Sequence, residues 1–229
     1  MDIYEQKDKE CAICALATIA HAVDKNITYK SVRKIAKSNF DISKGLYTGY
    51  IGQIGSLIGF NKITIITSNI DVIDYSWKKH SNPILIKEMY KSQKYMDDTD
   101  IIEISDSYIG FLKNKNNKIV IDTEYKKHII KNIDMYGPIM VIFNWTLYFK
   151  ACKSFRGKPD PYRGDAEYHA VVAYKYDDKG VYIADSNYGY PQFIKKYQGP
   201  KYKMEWDRLI PAMDLGDIIV FSDLGVEKC

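Results

Sequence analysis

Two apolar segments joined by a short polar turn constrain the fold of this chain most strongly. Residues 168–176 and 180–185 are rich in Val, Ala, Ile and Tyr, and residues 177–179 between them read Asp-Asp-Lys. This pattern predicts two β-strands connected by a hairpin turn. Antiparallel pairing brings the end of the second strand back to the start of the first. We therefore expect His169 and Asp185 to lie close together.

A second constraining feature is residues 11–23, with the sequence CAICALATIAHAV. Small and apolar residues recur there at helical spacing after a polar stretch, which predicts a buried helix beginning at or just before Cys11. A cysteine at a helix N-terminus is favoured as the thiolate, because unpaired backbone N–H groups and the helix dipole stabilise the negative charge. Cys11 is therefore a candidate nucleophile.

The remaining pattern predicts an α+β fold, in which N-terminal helices pack on a mostly antiparallel β-sheet. Residues 81–131 show the weakest pattern, and we expect one domain over residues 1–229, with room for an insertion around 87–131. Further helices are predicted at 28–38 and 46–60. Strands are predicted at 62–68, 137–148 and 217–222, with a turn at 189–191 and another strand starting at Phe193.

Charge and hydropathy narrow the class of protein. The net charge is +4, from 33 basic and 29 acidic residues whose signs are interleaved, so charge does not indicate a nucleic-acid partner. The chain contains no apolar run of about eighteen residues, so no membrane span is expected. No apolar run precedes Cys11, which argues against a secretory signal peptide. A cytoplasmic protein is expected, or one packaged in a virus particle if the source is viral.

Four residues have the chemistry of a thiol hydrolase. Catalysis by Cys11 requires a base to exchange its proton and a third group to orient that base, and His169 and Asp185 are the candidates. Asn187 competes with Asp185 for the orienting role, but Asp185 fits better because it closes the strand. Gln6 could supply an amide N–H₂ to an oxyanion hole, together with the backbone N–H of Cys11.

Parts of the sequence resemble papain-like cysteine peptidases of the bacteriocin-processing, double-glycine leader type. Glu10-Cys11-Ala12 is similar to that family's Asp-Cys-Gly, and YHAVVAYKYDDKGVYIADSNYG is similar to its His-x-Val-Val strand, turn and strand ending in Asp. The resemblance covers roughly half of the chain. It implies a papain-like fold and a catalytic set of Cys11, His169, Asp185 and Gln6. Gln6 stands one residue closer to Cys11 than is usual, and Ser186-Asn187 replaces the family's proline.

Other readings of the cysteines and histidines are weaker. Cys11 and Cys14 form a CxxC pair, but a redox motif would follow a strand and a zinc site would need a second ligand pair, so neither a metal nor a cofactor is expected. Cys14 lies one turn further along the helix and is expected to pack in the core. His21 lies too far from Cys11, while His80 and His128 are expected on the surface. The two tryptophans Trp145 and Trp206 are expected to pack in the core.

The sequence thus predicts a thiol hydrolase that cleaves a peptide (amide) bond through an acyl-enzyme intermediate, with a polypeptide as its substrate. An isopeptidase, deamidase or amidase would use the same residues. The contrasting hypothesis is a catalytically inactive papain-like protein with a binding or structural role, for example in a virus, because a fold does not fix a function. The oligomeric state is left open.

Overall fold

The computed structural model describes residues 2–7, 9–155, 158–187 and 200–224. Its described part contains eight α-helices and nine β-strands. The helices are α1 (Cys11–Val23), α2 (Tyr29–Asn39), α3 (Thr48–Leu57), α4 (Asn82–Ser92), α5 (Thr99–Leu112), α6 (Tyr125–Tyr136), α7 (Trp145–Phe149) and α8 (Trp206–Ala212). The strands are β1 (Phe60–Thr67), β2 (Lys118–Ile121), β3 (Ile139–Asn144), β4 (Ser154–Phe155), β5 (Lys158–Pro159), β6 (Tyr168–Tyr176), β7 (Gly180–Ala184), β8 (Lys201–Glu205) and β9 (Asp217–Leu224).

Seven of these strands form one sheet in the order β2-β1-β9-β3-β6-β7-β8, and β4 and β5 pair separately. The β1–β2 pair is parallel, and the other neighbours in the sheet are antiparallel. The predicted α+β class and mostly antiparallel sheet are therefore confirmed. The chain order differs from the expected helices followed by strands, because β1 and β2 lie among the helices and β9 pairs between β1 and β3.

Helices cover both faces of the sheet. Ala170 and Val172 of β6 belong to an apolar cluster with α1 to α5, whereas Val171 and Ala173 belong to a second cluster with α6 to α8. This alternation follows from the two-residue repeat of a strand, which directs successive side chains to opposite faces. Both faces are buried, which explains why β6 reads as a nearly continuous apolar run.

The predicted helices at 28–38 and 46–60 are both present with adjusted ends. Thr28 caps α2, because its side chain accepts a hydrogen bond from the backbone N–H of Ser31. Helix α3 stops at Leu57, and Gly59 then adopts a φ of 108°, a conformation that glycine accommodates best.

Glycines in α3 permit its close approach to α5. A Cβ atom at Gly49 would lie 2.2 Å from the backbone carbon of Ser107, and one at Gly52 would lie 2.5 Å from Cδ2 of Phe111. The glycines that weaken the helical pattern are thus required by packing. Helix α5, which belongs to segment 81–131 with its weak sequence pattern, thereby joins the main apolar cluster. The single domain over 1–229 stays a prediction.

The prediction of a continuous β-run at 137–148 is wrong after Asn144. The side chain of Asn144 accepts a hydrogen bond from the backbone N–H of Leu147, at 2.9 Å, and so caps the short helix α7. Trp145 is buried at the start of that helix, as expected. The predicted turn at 189–191 and the strand expected from Phe193 lie outside the described residues.

A buried carboxyl joins the helices to the sheet at the start of β9. Asp217 is 3% exposed, and its Oδ2 accepts hydrogen bonds from the hydroxyls of Thr48 in α3 and Tyr108 in α5, the latter at 3.0 Å. Burial raises the pKa of Asp217 above its ordinary value, although the hydrogen bonds from Thr48, Thr67 and Tyr108 oppose this effect. The charged form of Asp217 is therefore disfavoured in the folded protein.

We expect Asp217→Asn to stabilise the protein increasingly as the pH rises. A carboxyl whose pKa is higher in the folded than in the unfolded state costs stability once the pH exceeds its unfolded value, and that cost grows until the folded pKa is passed. Asparagine cannot ionise and avoids this cost. Urea unfolding from pH 4 to pH 8 measures the difference between the variant and the parent. Asp178→Asn, which removes an exposed carboxylate from the β6–β7 turn, controls for net charge, and a pH-independent difference for Asp217→Asn would contradict the expectation.

Candidate active site

The four candidate residues lie on three parts of the fold. Cys11 is the first residue of α1, which packs on β6. His169 lies at the beginning of β6, and Asp185 directly follows β7. Gln6 belongs to the N-terminal segment, whose backbone is bound to the residue after Asp185. The hairpin prediction is therefore correct in placing His169 and Asp185 at the same end of the β6–β7 hairpin.

Asp185 contacts the His169 ring directly. Its Oδ1 lies 2.7 Å from His169 Nε2, and both side chains are buried. The backbone N–H of Asn187 donates to the same Oδ1 at 2.8 Å, and the hydroxyl of Tyr202 donates to Oδ2 at 2.9 Å. Asp185 is thus the residue that hydrogen-bonds the imidazole, and Asn187 supports it through the main chain.

The environment of this pair favours an imidazolium beside a carboxylate. Burial raises the pKa of Asp185, but the charge and hydrogen bond of His169 and the donors at Asn187 and Tyr202 lower it below its ordinary value. Burial lowers the pKa of His169, but the charges and hydrogen bonds of Asp185 and Cys11 outweigh it and raise the pKa. Because Asp185 occupies Nε2, the second ring nitrogen, Nδ1, is the atom that can exchange a proton with the thiol.

Cys11 has the environment of a reactive thiol. Burial raises its pKa, but a hydrogen bond to His169, the charge of that ring, and the backbone amides of Ala170 and Ala12 lower the pKa below the ordinary value of 9.0. The side chain is partly exposed, so a reagent can reach it. A lowered thiol pKa beside a raised imidazole pKa favours a thiolate–imidazolium pair.

Cys14 has the opposite environment. It is fully buried, and burial raises the pKa of its thiol to about 12, with a further contribution from the charge of Glu10. Its expected role in core packing agrees with this environment. The two cysteines of the CxxC pair are therefore expected to differ in reactivity, although they belong to the same helix.

Gln6 is fixed by the turn that follows Asp185. Its backbone N–H donates to the carbonyl oxygen of Ser186 at 2.8 Å, and the Ser186 hydroxyl donates to Gln6 Oε1 at 2.9 Å. Ser186 is itself buried. Gln6 and Asp185 are thus joined through the same turn, an arrangement that the sequence did not predict.

Glu10 anchors the start of helix α1. Its buried carboxylate accepts hydrogen bonds from Arg33 Nε at 2.9 Å and from the Tyr29 hydroxyl, both residues of α2. Burial raises the pKa of Glu10, but Arg33 and Tyr29 lower it below its ordinary value. Because Glu10 directly precedes Cys11, these contacts fix the position of Cys11 relative to α2. Sequence reasoning missed this role, although an acid beside a predicted nucleophile was a visible signal.

The other histidines lie outside this cluster. His21 Nδ1 lies 2.9 Å from the backbone oxygen of Ile27, and His80 is exposed. His128 is not the exposed residue that was expected, because its side chain is 17% exposed and its Nε2 lies 3.3 Å from Asp122. Trp206 is buried, and its Nε1–H donates to the backbone oxygen of Asp177 at 3.0 Å.

In residues 2–7, 9–155, 158–187 and 200–224, no three or more His, Cys, Asp and Glu side chains cluster in a way that could hold a metal ion. No helix in that part of the chain has the length and apolar character needed to cross a bilayer.

The sequence matches no protein-family model and no curated protein. Two solved structures align over nearly the whole chain. One is the peptidase domain of Streptococcus ComA, a bifunctional ABC transporter involved in quorum sensing, with 14% identity, a TM-score of 0.46, and coverage of 96% of this chain and 98% of its own. The other is a putative C39-like peptidase from Bacillus anthracis, with 13% identity, a TM-score of 0.48, and coverage of 97% and 95%. The identities and TM-scores are low, so a function for this chain has to be inferred from its own site.

The altered pKa values predict an unusual pH profile for alkylation of Cys11 by iodoacetamide. The thiolate forms below the ordinary thiol pKa of 9.0, so the midpoint of the rate profile should lie below pH 9.0. His169→Ala removes the neighbouring charge and should shift the profile to higher pH, so that alkylation at pH 6 is slower in the variant than in the parent. Mass-spectrometric peptide mapping of a Cys152→Ser background assigns the labelled thiol. Superimposable profiles for the parent and His169→Ala would refute the proposed ion pair.

Proposed function

We propose that this chain is a cysteine peptidase that hydrolyses a peptide (amide) bond through an acyl-enzyme intermediate. One observation carries the proposal: a buried Asp185–His169 pair adjoins a partly exposed cysteine at a helix N-terminus, and the imidazole lowers the pKa of that thiol. Nucleophile, base and orienting acid are the parts that thiol hydrolysis needs. The contrasting hypothesis of an inactive binding protein does not account for a lowered thiol pKa.

Acylation begins with the Cys11 thiolate. Its sulfur attacks the substrate carbonyl carbon, and the carbonyl oxygen becomes an oxyanion. As the first residue of α1, Cys11 has a backbone N–H without an intrahelical acceptor, and this group together with the Gln6 side-chain N–H₂ can stabilise the oxyanion. The His169 imidazolium gives its proton to the leaving amine, and collapse of the intermediate leaves a thioester on Cys11.

Deacylation reverses the role of the histidine. Neutral His169 accepts a proton from water, and the resulting hydroxide attacks the thioester carbonyl. Cys11 leaves as the thiolate, and the imidazolium beside Asp185 is restored. Throughout the cycle Asp185 holds the Nε2–H tautomer, so that Nδ1 remains the nitrogen that exchanges protons. Because the substrate carbonyl belongs to an amide, a polypeptide is the expected substrate.

A panel of variants tests this assignment. Cys11→Ala should abolish cleavage of a proteome-derived peptide library, read by mass spectrometry as new peptide termini. His169→Ala should cost about as much, because members of a catalytic set act as a unit. Asp185→Asn should cost less than either, because Asp185 orients the ring without exchanging the proton. Gln6→Ala should lower turnover by roughly 10² to 10³, the effect of removing one oxyanion donor, with KM little changed.

Cys14→Ala is the matched control for the nucleophile. It removes a thiol one turn along the same helix, from a buried site where the thiol pKa is raised to about 12. Cleavage should remain close to the parent level in this variant. Activity retained in folded Cys11→Ala, or a greater loss in Cys14→Ala than in Cys11→Ala, would refute Cys11 as the nucleophile.

A further inference from the structure

Among the described residues of the turn after β7, Ser186 forms two hydrogen bonds with Gln6. The carbonyl oxygen of Ser186 accepts the Gln6 backbone N–H at 2.8 Å, and its hydroxyl donates to Gln6 Oε1 at 2.9 Å. Ser186 is 3% exposed, and its hydrogen bond to the Gln6 side chain is partly buried. Leaving the buried Ser186 hydroxyl without a partner would cost free energy. The hydrogen bond to Oε1 therefore restricts the rotamers of the Gln6 side chain.

The two ends of the Gln6 amide have opposite effects on an oxyanion. The N–H₂ group stabilises the negative charge, whereas the carbonyl oxygen repels it. A hydrogen bond from Ser186 to Oε1 occupies the repulsive end and leaves the N–H₂ group as the donor. Gln6 needs this restraint because it lies in a segment without regular secondary structure, and a free glutamine side chain has many rotamers to lose.

We propose that Ser186 is a positioning residue for the oxyanion donor, acting on the reaction through Gln6. The inference rests on the proposed function, because it concerns the tetrahedral intermediate of that reaction. Ser186 directly follows Asp185, which orients His169, so one short turn supports both the proton-transfer residue and the oxyanion donor. Ser186 is expected to assist the step that generates an oxyanion. The reactivity of the Cys11 thiolate is expected to be independent of Ser186.

Two reactions of Cys11 distinguish these effects without knowledge of the natural substrate. p-Nitrophenyl acetate acylates the thiolate: sulfur adds to the carbonyl carbon, an oxyanion forms, and p-nitrophenolate leaves. Iodoacetamide alkylates the same thiolate by displacement of iodide, and no oxyanion forms. The ratio of the two rate constants therefore measures oxyanion stabilisation separately from thiolate formation.

Ser186→Ala should slow acylation about tenfold, in keeping with the loss of one buried hydrogen bond, while alkylation keeps its rate and its pH profile. Ser186→Thr keeps a hydroxyl and should retain the acylation rate of the parent. Ser186→Val has the shape of the Thr variant without its hydroxyl and should not. This Thr and Val pair preserves the test if the alanine variant folds poorly. Ser107→Ala is the matched control, since it removes an equally buried hydroxyl from α5, where it donates to the backbone oxygen of Ile104.

A double variant tests whether Ser186 acts through Gln6. Gln6→Ala alone should slow acylation, and adding Ser186→Ala should cause no further loss, because the group that Ser186 positions is already absent. Equal acylation in the parent and Ser186→Ala, additive losses in the double variant, or a parallel fall in acylation and alkylation would each overturn the inference while leaving Cys11 as the nucleophile. Unchanged acylation in Cys11→Ala would instead refute the proposed function itself, and the inference with it.

Discussion

The hydrogen bond between Asp185 and His169 is the interaction on which the rest of the site depends. A carboxylate this deeply buried is stable only when it is paired and hydrogen-bonded. Asp185 meets that condition through His169, the backbone of Asn187 and the hydroxyl of Tyr202. The carboxylate in turn raises the pKa of His169, and the imidazolium lowers the pKa of the Cys11 thiol. The charge state of the Cys11 thiol therefore depends on Asp185, which acts through His169.

Local sequence patterns were sufficient to predict two parts of this arrangement, the proximity of His169 to Asp185 and the position of Cys11 at a helix start. The hairpin of β6 and β7 spans adjacent segments with a short turn, so strand pairing alone brings His169 to Asp185. Likewise, the helical spacing after Cys11 placed that residue at the start of α1. In both cases the deciding contacts lie within one hairpin or one helix, where periodicity determines which residues meet.

Contacts between distant segments could not be predicted in the same way. Ser186 meets Gln6 across 180 positions, and Glu10 meets Arg33 across 23. Neither spacing follows from a helical or strand repeat. The same limit applies within the fold, because the glycines of α3 read as weak helix formers until α5 is seen packed against them. Helix α7 was missed because a cap at Asn144 overrides the β-propensity of the residues that follow.

The site is held from two directions, and these supports have different physical characters. Glu10 joins the start of α1 to α2 through an ion pair with Arg33. This contact fixes the backbone next to Cys11. The turn at 185–187 fixes His169 and Gln6 from the sheet side through hydrogen bonds. Because α1 also packs on β6 through apolar side chains, we infer that core packing sets the distance between thiol and imidazole, whereas buried polar groups set their orientation. A substitution in the core is therefore expected to change how far apart the reacting groups lie, and a substitution in the turn to change how they point.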